Sequence, residues 1–179
     1  MNDVLDQVCA VLSTTAERWL SLTAKLPTDL LNSPAAPGEW SARDCLGHLL
    51  DTEAHIFPSR VRALLAGQDF EAFDPETQGT DRSQDTPAEL AATFAQHRAE
   101  NLALLAGVTP ADLDRTAQHS ELGLVTLGQL LNEWAAHDLM HTVQAERALM
   151  QPFVHGTGPW RPYFHDHDLE ADLQEWAAR

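Results

Sequence analysis

Residues 133–146 read EWAAHDLMHTVQAE, and the fold turns on how this stretch is taken. Leu127, Leu130, Leu131 and Trp134 lead into it, and Ala145, Ala148 and Leu149 lead out, at the three- and four-residue spacing of a helix with one buried face. Continuing that stripe through the middle lands on His137, Asp138 and His141, where apolar residues belong. Residues four apart stack on one helix face about 6 Å from each other, so the two imidazoles can converge on one point. Thr126 with Gln129 three residues on makes a capping box at the start, and the spacing predicts a helix to about Met150, just before Pro152.

Working outward, Val4, Val8, Val11, Leu12, Thr15, Trp19, Leu22 and Leu26 predict a long first helix that Pro27 ends. After the breaker-rich NSPAAPGE, Ser41 and Asp44 cap a second helix expected to reach Ala66 and stop at Gly67, with Pro58 threatening a kink. Its inward stripe passes through Cys45, Leu49, Thr52 and Ile56, with His48 on that side. The polar stretch from Gly67 to Asp85 reads as a long crossover loop. Thr86, Pro87 and Glu89 then open a third helix, buried through Leu90, Phe94, Leu102 and Leu105 and ending at Gly107. The irregular stretch TPADLDRTAQHSELGLV is expected to hold either one short helical turn or an extended piece near Leu122 to Val125. After Pro152 come the tail GTGPWRPYFHDHD and a short amphipathic segment from Leu169 to Trp176. Four long helices without a second core make residues 1–179 a single all-α domain, a four-helix bundle with its crossover between helices two and three.

The 27 acidic against 11 basic residues, a formal charge of −16, disfavour direct binding of nucleic acid or of an anionic membrane. No apolar run is long enough to span a bilayer, and the N-terminal stretch does not read as a signal peptide. With two cysteines, Cys9 and Cys45, a disulfide framework is not expected, and a reducing cytoplasm is.

From the residues alone, His48, His137 and His141 are either metal ligands or core histidines bonded to carbonyls or to carboxylates such as Asp138 and Asp51. The segments WSARDCLGHLLDTE and TLGQLLNEWAAHDLMHTVQAE, with GPWRPYF in the tail, resemble the DinB/YfiT-like superfamily of metal-binding four-helix bundles. The order matches: one helix with a single histidine, then a last bundle helix with His-x-x-x-His. The resemblance implies that His48, His137 and His141 hold a divalent transition metal such as zinc, nickel or iron. Some members carry Glu at the first position of the last pair, where this chain keeps His137. Asp51, Asp138 and Gln144 become candidates to support those ligands from behind.

Three imidazoles leave coordination positions open, as in a catalytic site. The resemblance implies an enzyme on a small-molecule substrate: in the first place an S-transferase that joins a low-molecular-weight thiol such as bacillithiol, mycothiol or glutathione to a small electrophile, with a hydrolase using metal-activated water as the alternative. A non-enzymatic, metal-binding or stress-related oligomeric bundle is the alternative, and a homodimer suits either. Arg161 is the candidate for binding a substrate carboxylate. Among the other histidines, His97 competes with Arg98 for the interior of the third helix, and His55 reads as packing or rim. His119, His155, His165 and His167 read as loop or tail residues.

Overall fold

The computed structural model describes residues 4–73 and 79–169. The first helix, α1 (Val4–Lys25), precedes a short α2 (Thr28–Asn32). The second long helix is built in three pieces: α3 (Ala42–Asp51), a π turn (Thr52–Ile56) and α4 (Phe57–Ala66). Then come α5 (Pro87–Leu105), a 3-10 turn (Pro110–Asp114), the strands β1 (Thr116–His119) and β2 (Gly123–Thr126), and α6 (Leu127–Gly156). A 3-10 tail (Gly158–His167) closes the described chain. The amphipathic segment expected up to Trp176 lies outside the described residues beyond Leu169.

Three capping boxes start the long helices where the sequence places them. The Asp44 N–H donates to Ser41 Oγ at 3.1 Å, Glu89 N–H to Thr86 Oγ1 at 3.3 Å, and Gln129 N–H to Thr126 Oγ1 at 3.1 Å. Gly67 ends α4 in the left-handed region, at φ 65°, which a glycine adopts without steric cost.

The threatened kink at Pro58 is resolved as a π turn. Pro58 has no N–H to continue the ladder, and the Phe57 N–H reaches back to Thr52 O. The extra residue rotates the helix beyond it. Glu53 and Phe57 therefore take buried positions, while Ile56 is only half-buried and His55 is exposed.

α1 packs on α5 and α6, and α3 packs on the same two, which makes the four-helix bundle. The small antiparallel hairpin pairs Ala117 with Val125, and it buries His119, whose Nδ1 accepts the N–H groups of Glu121 and Leu122 at 3.1 and 3.3 Å. His119 is thus a turn-closing residue, and His155 lies in the last turn of α6 rather than in a loop. That helix runs past Met150 through Pro152, and Gln151 ties its end to the tail by donating to Arg147 O at 2.7 Å and His167 O at 2.9 Å.

The apolar core comes in two clusters. One gathers Trp19, Cys45, Leu49, Phe94 and Leu149, and the other Leu12, Phe57, Val61, Leu105 and Trp134. Between them along the helices sits a buried polar layer. Arg98, 1% exposed, spends its guanidinium on Glu53 (2.8 and 2.7 Å), Asp138 (2.7 and 3.1 Å) and Leu12 O (2.7 Å). Asn101 and the Trp134 indole also donate to Glu53, at 2.9 and 3.1 Å. Arg98, not His97, is the interior residue of α5, because two carboxylates from other helices await it. His97 sits nearer the surface, 3.8 Å from Glu100.

Candidate metal centre

His48 comes from α3, and His137 and His141 come from adjacent turns of α6. One nitrogen of each lies within 4.8 Å of the others. The Nε2 atoms of His48 and His137 stand 3.0 Å apart. Two nitrogens on a tetrahedral zinc at 2.0–2.1 Å are separated by roughly 3.3–3.4 Å, so this pair already approximates one edge of a coordination shell.

Burial is the main force on the protonation of all three. It pushes His48 down to about 4 and His137 down to about 3, with repulsion from His141 adding to both, and it lowers His141 as well. The imidazoles are therefore neutral near pH 7 and have lone pairs to offer. Gln144 Oε1 lies 2.9 Å from His141 Nδ1, and as an acceptor it keeps the proton on Nδ1 and the lone pair on Nε2. His137 is less well served, since its Nδ1 is buried with no hydrogen-bond partner among the described residues. Three neutral donors this close fit a divalent transition ion.

A sequence model of the DinB superfamily matches residues 12–145. The chain belongs to the DinB superfamily. No curated protein matches it significantly. Among solved structures it is similar to YfiT from Bacillus subtilis, described as a probable metal-dependent hydrolase with an unusual four-helix bundle topology. That match has TM-score 0.70 and 19% identity, and it covers 80% of this chain and 85% of the other. At this identity the likeness establishes the fold.

In this DinB-superfamily bundle, two cavities share His48, and the smaller also reaches His137. One of about 630 Å³ is bordered by Trp40, Arg43, His48, Asp51, Thr80 and Arg82. A smaller one of about 180 Å³ is bordered by His48, Thr52, Phe57, Arg60, Glu133 and His137. Trp40, just before the α3 cap, stacks on His141 with ring centroids 5.7 Å apart and tilts against His48 at 5.2 Å. Burial raises the Glu133 carboxyl, and Arg60 opposes that shift.

The remaining expected residues divide. Gln144 bonds a histidine of the cluster. Asp138 bonds Arg98, and Asp51 accepts from Arg82 at 2.7 and 2.9 Å and from the Thr80 N–H at 3.0 Å, so neither carboxylate bonds a histidine. Asp51 instead anchors the end of the crossover over α3. Arg161 pairs with Asp168 at 2.6 Å in the tail and borders neither cavity. Cys45 is fully buried, its thiol pushed up to about 12 by burial, and it stands outside the histidine cluster. Sequence reasoning missed Trp40, Arg60 and Glu133. Glu133 had a usable signal, because it precedes His137 by four residues on the same helix.

Proposed function

We propose that this chain is a metal-dependent enzyme in which His48, His137 and His141 would hold one divalent transition ion, such as zinc, nickel or iron. The observation that carries the proposal is three neutral imidazole nitrogens within 4.8 Å, with His48 bordering both cavities and His137 the smaller one. Such an ion, when bound, lowers the pKa of a small nucleophile and stabilises developing negative charge. The protein's own part is positional. Gln144 orients His141, the capped α3 and α6 fix the facing histidines, and Trp40 and Phe57 provide apolar walls beside them.

Hydrolysis of a small molecule is the leading reading, in keeping with the description of the Bacillus subtilis structure. S-transfer from a low-molecular-weight thiol to an electrophile is the second. It is favoured by the two cavities that share His48, room for one reactant in each.

The test begins with elemental analysis of tag-free protein, purified without a metal column or chelator, beside His137→Ala and His141→Ala. About one equivalent of transition metal, lost in both variants, is expected. No metal in the native protein, together with no uptake of zinc or nickel on titration, would overturn the proposal. Turnover of model esters and electrophiles with and without added thiol then separates the two chemistries.

A further inference from the structure

The arginines beside the histidine cluster differ in how their donors are used. Arg82 gives Nε and Nη2 to Asp51 at 2.9 and 2.7 Å. Arg43 binds the backbone carbonyls of Arg82 and Asp85. Arg98 is saturated in the core. Arg60 is the exception. Its one hydrogen bond among the described residues is Nη2 to Glu71 O, long at 3.3 Å, which leaves Nε and Nη1 uncommitted.

Its placement gives those donors a use. Arg60 borders the small cavity that also contains His48 and His137. It borders two more cavities, of about 350 and 170 Å³, that lead off past Phe70 and the β hairpin. The guanidinium lies over the Phe70 ring, 5.4 Å from its centroid, so its orientation is held by packing rather than by an ion pair. Burial lowers its pKa, the mark of a charge short of solvation, and Glu133 offsets this without forming an ion pair with it. A guanidinium has two paired faces, Nε with Nη2 and Nη1 with Nη2. The Glu71 bond occupies one Nη2 N–H and leaves the other face of this half-buried group open to a planar oxyanion, which it can grip with two parallel bonds.

We propose that Arg60 selects the substrate, its free donors binding a carboxylate on a small acid whose reacting group lies at the three-histidine cluster. This rests on the cluster being a metal centre, and it assigns to Arg60 the role that the sequence reading gave to Arg161 in the tail.

The test uses full-length protein loaded with cobalt(II), with mercaptopropionate and its neutral, equally shaped amide as probes. The sulfur-to-cobalt charge-transfer band reports binding of each thiol without any turnover. Wild type should bind the acid at least about tenfold more tightly than the amide, the value of one charge-assisted contact. Arg60→Gln should abolish that preference while leaving the cobalt d–d spectrum of the site unchanged, and Arg60→Lys should keep a fraction of it. Equal binding of acid and amide by wild type, or a preference that survives in Arg60→Gln, would overturn the role of Arg60 while leaving the metal centre standing. Failure of wild type to take up cobalt would overturn both.

Discussion

Replacing Arg98 with methionine would remove the guanidinium but keep most of the buried bulk. Glu53 and Asp138, each 1% exposed, would lose their ion-pair partner in the middle of the bundle. Leu12 O would lose a donor as well. Removing one member of a buried ion pair costs about 3–5 kcal/mol, because the charge left behind has neither water nor a partner. For a chain of this length, each kcal/mol shifts the melting temperature by about 2–4 °C, so a fall of roughly 6–20 °C is expected. Urea denaturation of metal-free protein at neutral pH measures the free energy directly, with the slope checked for two-state behaviour. Arg98→Met combined with Glu53→Gln and Asp138→Asn should recover at least about half of the loss, because neutral amides cost less to bury unpaired than carboxylates do. A single variant within about 1 kcal/mol of wild type would refute the reasoning, as would a triple variant no more stable than the single one.

Two further outcomes follow from the site. Metal-free protein should lose stability in acid, because His48 and His137 titrate at about 4 and about 3 when folded, against 6.5 when unfolded. Below pH 6.5 the unfolded chain takes up protons that the folded one refuses, a loss of up to about 1.4 kcal/mol per pH unit for each histidine, continuing down to the folded values. Urea titrations near neutral pH and near pH 5 should therefore show wild type losing more stability on acidification than His48→Gln/His137→Gln, and an equal loss in both would count against the lowered values. Gln144→Ala should weaken zinc binding about tenfold in a competitive chelator titration, with stability nearly unchanged. Unaltered affinity would mean that His141 needs no orienting partner.

Much of this protein was legible because the deciding interactions are short in sequence. Each capping box closes over three residues, so Ser41, Thr86 and Thr126 declare their helices without help from the rest of the chain. The pairing of His137 with His141 is equally local, a matter of one helical turn and the phase of the surrounding apolar stripe. What spacing could not decide lay in choices between helices. The π turn after Asp51 depends on which of Ile56 and Phe57 finds the better place in the packed bundle, and a helical stripe read at a constant period misses the slip. Arg98 displaces His97 from the interior only because Glu53 and Asp138 reach it from two other helices.

The same logic divided the candidate site. Gln144 meets His141 because it is three residues away on the same helix, whereas Asp51 and Asp138 were drawn to arginines far along the chain. Arg60 and Arg161 look alike in sequence, and they part only when Arg161 meets Asp168 and Arg60 meets a cavity. The sequence by itself thus determined the helices, their caps and the histidine pair, since hydrogen bonds and helical phase act within a turn or two. Tertiary structure decided which charges were neutralised in the core and which were left facing the histidines, since that depends on partners brought together only when the bundle closes.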